Sequence, residues 1–321
     1  MRMMTKREAC AMLAGCALAL HAQAFGDKPL KLIVPAPAGG TMDIVARLLA
    51  QQLTADISQT VVVENRAGAG GGIGMQAMLQ APADGNTLLV GASNLLAEIP
   101  HVIKQPFDPL KDVVPLVTVA RSGIVLVAPA ANPARDFKAL VAHLEKNKGR
   151  ASYATYSPGT VSHYAAAILN EQLNLDLQHI PFAGSPPALQ NLLGGQVDFM
   201  FDGMLTSVPM IKAGKLRPYA YTGAQRSRHL PDVPTMAELG YPQVQFVGWV
   251  GVMGSAKLAP ADVARIQAAL KKAASAPAVQ QRIFETGLEP EVNADSAALS
   301  RETREISDRN AAIVKKFGIK L

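Results

Sequence analysis

The chain has 321 residues, of which 49% are hydrophobic and 17% are charged, so it can bury one large core or two smaller ones. Its formal net charge of +6 comes from basic residues scattered along the chain, which gives no clustered footprint for nucleic acid. Only 5% of the residues are aromatic and Trp249 is the single tryptophan, which disfavours a carbohydrate site built from stacked indoles.

The first 24 residues predict an export signal. Basic residues near the N-terminus precede an apolar run over residues 9–20, and residues 22–24 read Ala-Gln-Ala, the small-x-small pattern that signal peptidase recognises. The apolar run is too short to remain in a bilayer as a permanent helix. We therefore expect the mature chain to begin near residue 25, in the periplasm.

A second cleavage site stays open. Residues 13–16 read Leu-Ala-Gly-Cys and resemble a lipobox, in which Cys16 becomes the lipidated first residue of an anchored chain. Against this alternative, the sequence after Cys16 stays apolar and continues into the Ala-Gln-Ala pattern. Both cysteines, Cys10 and Cys16, lie in the leader, so cleavage after Ala24 excludes disulfides, thiol catalysis and thiolate metal sites.

After the leader, short apolar runs alternate with longer amphipathic ones, which is typical of an α/β protein. Helices are predicted between most of the strands, and the C-terminal part is predicted to be mostly helical. Strands are predicted at residues 30–35, 60–64, 87–91, 124–128, 151–156, 178–181, 197–201 and 216–222.

The same pattern predicts two lobes joined by short crossing segments, because no repeat, low-complexity tract or polar linker separates the two halves. The first lobe is expected to comprise residues 25–123 and 223–321, and the second residues 124–222. A cleft between two lobes is a favoured place for a small-ligand site.

The first candidate site is the glycine-containing turn between the first predicted strand and the helix after it. A helix N-terminus presents unpaired N–H groups and a partial positive charge, so such a turn can bind a carboxylate or phosphate without lysine or arginine. An ordinary turn in which Thr41 and Asp43 cap the helix explains the same residues. The candidate ligand-binding residues here are Ala38, Gly39, Gly40, Thr41, Met42 and Asp43.

A second turn of the same kind follows the strand predicted at residues 151–156, so a ligand gripped from both ends is expected. His163 in this turn either donates to a ligand or packs at the start of the helix. Asp202, at the end of a later strand, either caps that strand or accepts hydrogen bonds beside the ligand. The candidate residues of the second turn are Ser157, Gly159, Thr160, Ser162 and His163.

Motifs for catalysis and cofactors are missing from the sequence. Residues 68–74 are rich in glycine, but a strict G-x-G-x-x-G cannot be placed, because its last position falls on Ile73 or Met75. There is no GxxxxGK(S/T) phosphate loop, no GxSxG elbow and no HExxH. We therefore predict no catalytic residue, no cofactor and no metal, and an enzyme on a similar scaffold is the weaker alternative.

Taken in order, the motifs resemble those of the Bug-type receptors, the periplasmic solute-binding components of tripartite tricarboxylate transporters. The resemblance spans essentially the whole mature chain. It rests on Leu32-Ile33-Val34-Pro35 with Gly39-Gly40-Thr41-Met42-Asp43, Val63-Glu64-Asn65-Arg66-Ala67-Gly68-Ala69-Gly70-Gly71, Asp84-Gly85-Asn86-Thr87-Leu88-Leu89, Phe107-Asp108-Pro109, Leu192-Leu193-Gly194-Gly195-Gln196-Val197-Asp198 with Phe201-Asp202, and Leu230-Pro231-Asp232-Val233-Pro234-Thr235.

The resemblance implies a two-lobed Venus flytrap of the type II periplasmic-binding-protein fold. It also implies a small carboxylate ligand, held by the loops at residues 38–43 and 159–163, with Ser93, Asn94, Phe182 and Asp202 shaping the rest of the site. The implied partners are integral membrane transporter subunits, with a monomeric receptor as the default. A periplasmic sensor subunit that signals to a membrane kinase is the alternative that the sequence leaves open.

Two departures from the family pattern bear on the ligand. Residues 181–184 read Pro-Phe-Ala-Gly where members often have Pro-Tyr-Lys-Gly, and Asn86 stands where a tyrosine is common. The first change removes a lysine and a phenol. We hypothesise that the cleft is less cationic as a result and favours an aromatic or monocarboxylic acid over citrate.

Overall fold

The structure is a computed structural model that describes residues 28–320, so the predicted export signal and Cys16 lie outside the described residues. Eleven strands of the described part form two sheets, one of six strands and one of five. The α/β class predicted from the sequence is confirmed. No helix among residues 28–320 is both long and apolar enough to cross a membrane.

The first sheet has the strand order β11-β4-β10-β3-β1-β2. β1 pairs in parallel with β2 and β3, whereas β10 runs antiparallel to both β3 and β4. Its strands are β1 (Leu30–Val34), β2 (Val61–Asn65), β3 (Thr87–Ala92), β4 (Val113–Ser122), β10 (Gly248–Ser255) and β11 (Glu289–Asn293).

The second sheet has the order β7-β6-β8-β5-β9. β6 is parallel to its neighbours β7 and β8, and β5 is antiparallel to β8 and β9. Its strands are β5 (Ile124–Pro129), β6 (Ser152–Thr155), β7 (Gln178–Pro181), β8 (Phe199–Gly203) and β9 (Leu216–Tyr221).

Helices cover both faces of each sheet, which is why the central strands are continuous apolar runs. They are α1 (Thr41–Ile57), α2 (Gly72–Gln80), α3 (Asn94–Ala97), α4 (Pro109–Asp112), α5 (Phe137–Lys146), α6 (Val161–Gln172), α7 (Ser185–Leu193), α8 (Met204–Lys212), α9 (Pro260–Ala274), α10 (Pro277–Glu285) and α11 (Ser296–Phe317).

The core of each lobe consists of two apolar layers. In the first lobe, Leu32 and Leu49 belong to the layer under α1 and α9, and Ile33 and Met75 to the layer under α2. The second lobe is built in the same way, with one layer under α5 and α6 and another under α7 and α8. Each sheet is therefore buried on both faces, and only the ends of its strands are left to form a site.

Three strands were not predicted from the sequence, namely β4, β10 and β11. β10 contains three glycines, which have low strand propensity, and β11 lies in a part of the chain that is otherwise helical. Both pair only with strands distant in sequence, so tertiary contacts rather than local propensity hold them.

Two segments contact both lobes of the predicted division. Met236, Val244 and Phe246 belong to a core layer of the second sheet, although the prediction assigns them to the first lobe. α11 packs against β4 and against α6, and its Ile313 is buried in the same layer of the second lobe. The residue boundaries therefore stay a prediction.

Candidate ligand-binding site

A cavity of about 250 Å³ lies between the two sheets and is lined by residues of both lobes. It lies where α1 and α6 begin, since Thr41 and Val161 are both part of its wall. Its polar side chains include Thr41, Ser93, Asn94, Glu98, Tyr156 and Asn310, and its apolar ones include Met42, Ile124, Met204, Leu205, Leu288 and Ile306.

A more open groove of about 550 Å³ lies elsewhere, between α6 and α11. It is lined by residues such as Gln172, Gln243 and Lys316 and contains neither helix start. The smaller cavity is the better candidate, because enclosure between lobes removes a ligand from water and the start of α1 supplies directed donors.

The turn before α1 is held by the side chain of Asp43. Its carboxylate accepts hydrogen bonds from the backbone N–H of Gly39, from Arg47 Nε and from Asn65 Nδ2, each at 2.9 Å. The bond from Arg47, aided by those from Gly39 and Asn65, lowers the pKa of Asp43 to about 2 against the opposing effect of burial. Asp43 is therefore charged, and its hydrogen bonds stabilise the turn.

Of the six residues predicted in this turn, Thr41 and Met42 line the cavity. Ala38 and Gly39 are exposed, and the left-handed backbone of Gly39, with φ of 81°, turns the chain into the helix. Gly40 is the residue before the helix and has no side chain to cap it, so the first N–H groups of α1 have no such partner.

Ser93 and Asn94 both line the cavity, at the start of α3. The Ser93 hydroxyl accepts from the backbone N–H of Trp249 at 3.2 Å, and the Ser93 N–H donates to the Trp249 carbonyl at 2.9 Å. This reciprocal pair fixes the end of β3 against β10 and leaves the half-buried Asn94 on the cavity wall.

In the turn before α6, most of the predicted polar side chains bond within the second lobe. The Thr160 hydroxyl donates to the Ser157 carbonyl at 2.8 Å, and the Ser162 hydroxyl donates to the Phe201 carbonyl at 2.6 Å. Gly159, with φ of 71°, lies directly against Val102 of the first lobe. The cavity wall here is formed by Tyr156 and Val161 instead.

His163 is buried in a ring stack. Its ring lies 4.0 Å from that of His179, centroid to centroid, and its Nδ1 accepts from the Gly159 N–H at 3.4 Å. Burial, reinforced by the neighbouring His179, lowers the pKa of His163 to about 4. The ring is thus neutral at pH 7 and outside the cavity lining, which agrees with the packing alternative.

Neither Asp202 nor Phe182 lines the cavity. Asp202 is fully buried, and its carboxylate accepts from the hydroxyls of Ser185, Thr206 and Ser207 at 2.6 to 2.7 Å. Burial raises the pKa of Asp202, and those hydroxyl groups act in the opposite direction. Asp202 therefore organises the start of α8, whose Met204 and Leu205 line the cavity, while Phe182 packs on the core.

Glu98 is a cavity residue that the sequence did not single out. Only 6% of its surface is exposed, and Oε2 accepts a hydrogen bond of 3.0 Å from the backbone N–H of Val161 at the start of α6. Burial raises the pKa of Glu98 to about 7, with the Val161 bond opposing the shift. A lone acid in the apolar run at residues 95–99 was the available signal.

The C-terminal helix supplies two more unpredicted residues, Arg309 and Asn310. The Arg309 guanidinium donates to the carbonyls of Gln243 and Gln245 at 2.7 Å and lies 4.2 Å from the centroid of the Phe246 ring. Asn310 donates from Nδ2 to the Ala97 carbonyl at 2.8 Å. No local motif marks them, because they meet the cavity only through the fold.

The cavity wall contains few charged side chains. Within the described part of the chain, the charged residues that line the cavity are Glu98 and Arg309. No cluster of three or more histidine, cysteine, aspartate or glutamate side chains among residues 28–320 is arranged to hold a metal. The site can therefore offer backbone N–H groups, hydroxyls, amides and apolar surface to a small molecule.

Comparison with known proteins shows a relative that matches most of the chain. A UPF0065 protein from the tcbD-tcbE intergenic region of Pseudomonas sp. (strain P51) is 36% identical over 298 residues, which cover 88% of this chain and 89% of the relative.

Two solved structures also match. MatC from Rhodopseudomonas palustris with bound malate is 30% identical with a TM-score of 0.76, covering 90% of this chain and all of MatC. The R. palustris protein Rpa4515 with adipate is 26% identical with a TM-score of 0.81, covering 92% of this chain and all of that one. These likenesses confirm the two-lobed fold.

The family model described as "Tripartite tricarboxylate transporter family receptor" matches residues 45–319. This match covers most of the chain and agrees with the ordered motifs, so the resemblance seen in the sequence is confirmed. The chain belongs to the receptor family of the tripartite tricarboxylate transporters.

Proposed function

We propose that this chain is an extracytoplasmic receptor that captures a small carboxylate between its lobes and delivers it to the membrane subunits of a tripartite tricarboxylate-type transporter. It acts in the periplasm as a monomer and performs no covalent chemistry. Binding replaces the water around the carboxylate by directed N–H and hydroxyl donors, and closure of the lobes buries it.

The strongest support for this proposal is that the uncapped start of α1 lies in the wall of an enclosed cavity. Thr41 and Met42 offer backbone N–H groups there, and Ser93 and Asn94 lie beside them. Because Asp43 is committed to Gly39, Arg47 and Asn65, its charge is already compensated and does not repel an incoming anion. The malate and adipate in the two related structures support a carboxylate ligand.

The wall composition supports an acid of low charge. Most of the lining side chains are apolar, and Arg309 is the cation among the described lining residues. A tricarboxylate such as citrate would need more cations or donors than this wall provides. The hypothesis that the ligand is an aromatic or monocarboxylic acid is therefore retained.

The binding claim is tested by thermal unfolding of residues 25–321 with a panel of acids and their neutral amides. A ligand at about 100 times its Kd should stabilise the protein by about 2.7 kcal/mol. We expect a large rise in melting temperature for one class of acid and none for its amide. Shifts with sugars or amides, and none with any acid, would refute the carboxylate site.

A variant locates the binding. Met42→Trp places extra bulk on the cavity wall and should abolish the ligand-induced shift. Leu193→Trp, at a partly exposed position away from the cavity, should keep it. Loss in both variants, or in neither, would show that the ligand binds elsewhere.

The delivery claim is tested by uptake. Cells that lack this chain should lose uptake of the acid identified above and regain it when the chain is restored. If uptake persists while transcription in response to the acid is lost, the sensor alternative replaces the transport role.

A further inference from the structure

At the start of α6, the carboxyl of Glu98 lies where the anionic group of a ligand would bind. It belongs to the first lobe, lines the cavity and reaches across to accept the Val161 N–H of the second lobe at 3.0 Å. Within the described residues no ion pair joins Glu98 to a cation, and the one hydrogen-bonded partner of its carboxyl is that N–H group. The chain therefore supplies its own carboxyl to a donor that would otherwise face a ligand.

A second acceptor lies next to Glu98. Asn310 is fully buried and lines the cavity, and its Nδ2 is fixed by the carbonyl of Ala97, the residue before Glu98. This bond sets the amide orientation, and its Oδ1 has no hydrogen-bond partner among the described residues. A buried acceptor without a partner is unfavourable until a donor reaches it.

The two ends of the cavity therefore differ in the hydrogen-bonding groups that they offer to a ligand. The α1 end presents N–H groups, a hydroxyl and an amide at Thr41, Met42, Ser93 and Asn94. The wall around Ala97 contains acceptors, namely the Glu98 carboxyl and the buried Asn310 Oδ1. Above the pKa of Glu98, where its carboxyl is ionised, a second carboxylate on this wall would face like charge and would add no donor.

We propose that Glu98 and Asn310 form a donor-recognising subsite, so that the preferred ligand has one carboxylate and, at its other end, a hydroxyl, amide or ammonium group. This inference rests on the proposed function, because it assumes that the carboxylate of the ligand lies at the start of α1. It assigns Glu98 as the residue that discriminates against dicarboxylates.

The test is a calorimetric titration of residues 25–321 at pH 8, above the pKa of Glu98, with four acids of equal chain length. Hexanoate, 6-hydroxyhexanoate, 6-aminohexanoate and adipate differ only at the far end. We expect the hydroxy or the amino acid to bind about tenfold or more tightly than both hexanoate and adipate. Adipate or hexanoate binding as tightly as the better of the other two would overturn the inference and leave the carboxylate receptor intact.

The variant Glu98→Gln separates charge from shape. The amide keeps an oxygen for the Val161 N–H but removes the negative charge, so adipate should gain about tenfold relative to 6-aminohexanoate. The matched control is Glu145→Gln, an exposed position on the second lobe outside the cavity, which should leave the ratio unchanged. An unchanged ratio in Glu98→Gln contradicts the assignment.

Failure of the proposed function has a different signature. If none of the four acids binds and no other carboxylate in the thermal panel does, the receptor assignment falls and this inference falls with it. The comparison among acids uses the natural chain, so it stands even if Glu98→Gln folds poorly.

Discussion

The two helix starts at the cavity have similar local structure but differ in whether a cation compensates the nearby acid. Each follows a strand and a glycine with positive φ, and neither has a side-chain cap of its own. At α1 the nearby acid is Asp43, which bonds to Arg47 and has a pKa of about 2. At α6 the nearby acid is Glu98 from the other lobe, without a cation, and its pKa is about 7.

This contrast shows that a strand–turn–helix motif specifies an anion-competent site but not whether the site is free. In the first turn the acid lies inside the helix and is compensated locally. In the second, the acid comes from 63 residues earlier in the chain and takes the helix donor. The four predictions below test this contrast, beginning with the largest expected effect.

The strongest test is the pH dependence of stability in Glu98→Gln. The folded pKa of Glu98 is raised from 4.5 to about 7, so the native state holds a proton that the unfolded chain has released, and stability falls as pH rises between these values. Relative to the natural chain, Glu98→Gln should gain about 3 kcal/mol in free energy of unfolding between pH 4.5 and pH 8. Urea unfolding across this range measures it.

Subtracting the two proteins is necessary because His163 has the opposite effect. Its pKa is lowered to about 4, so protonation of the unfolded chain makes stability rise with pH between about 4 and 6.5. Both proteins share this contribution. A difference that stays flat with pH would mean that Glu98 is not an isolated buried acid.

A steric version of the comparison uses alanine in each turn. A side chain at Gly159 would lie 2.5 Å from Val102 across the cleft, whereas one at Gly39 would meet nothing within 4 Å. Both substitutions strain a left-handed backbone, which costs about 1 to 2 kcal/mol, and Gly159→Ala adds overpacking. We expect Gly159→Ala to lower the free energy of unfolding by about 3 kcal/mol and Gly39→Ala by about 1.

Adding Val102→Ala to Gly159→Ala should restore about 1 kcal/mol, measured in a double-mutant cycle by urea unfolding. Strict additivity would show that the lobes do not touch at this point in solution.

A somewhat smaller effect is expected from Asp43→Ala, which releases the first turn. The low pKa of Asp43 contributes stability that is present above pH 3.8 and lost as pH falls toward 2. The variant should lose about 2 kcal/mol at pH 7 and converge with the natural chain near pH 2. Its affinity for the acid should also fall, as calorimetry would detect. Asp43→Asn is the control, since it keeps an acceptor for Gly39.

The smallest effect is expected from restoring a family residue. Ala183→Lys returns the lysine that members often have, but position 183 is exposed and outside the cavity wall. We expect affinities for mono- and dicarboxylic acids to change by less than about twofold. A large gain for citrate would revive the idea that the missing lysine sets the charge of the cleft.

Much of the fold was accessible from the sequence because it rests on local patterns. The runs that became β1, β3 and β5 are apolar and bounded by turn residues, so their strand character was visible. β10 was not, since its glycines weaken the local signal and its pairing with β3 and β4 spans more than a hundred residues.

The candidate site divides in the same way. Thr41 and Met42, predicted from the helix start, line the cavity, because a helix start brings its own residues to a sheet edge. Ser93 and Asn94, which the family resemblance implied, line it as well. In the second turn, hydroxyl groups compete for nearby carbonyls, and the Ser162 hydroxyl bonds to Phe201 rather than facing the cavity. A sequence pattern does not show which nearby carbonyl accepts the hydrogen bond of a hydroxyl group.

The sequence by itself determined the α/β class and the presence of two helix starts able to attract an anion, because these follow from periodicity and from glycine-containing turns. It determined the receptor family through the ordered set of motifs that resemble those of the family. Only the tertiary structure decided that Glu98 reaches the start of α6, that Asn310 leaves a buried acceptor beside it, and that His163 stacks on His179. Burial and charge compensation depend on partners that are remote along the chain, and those partners are fixed only when the lobes fold and meet.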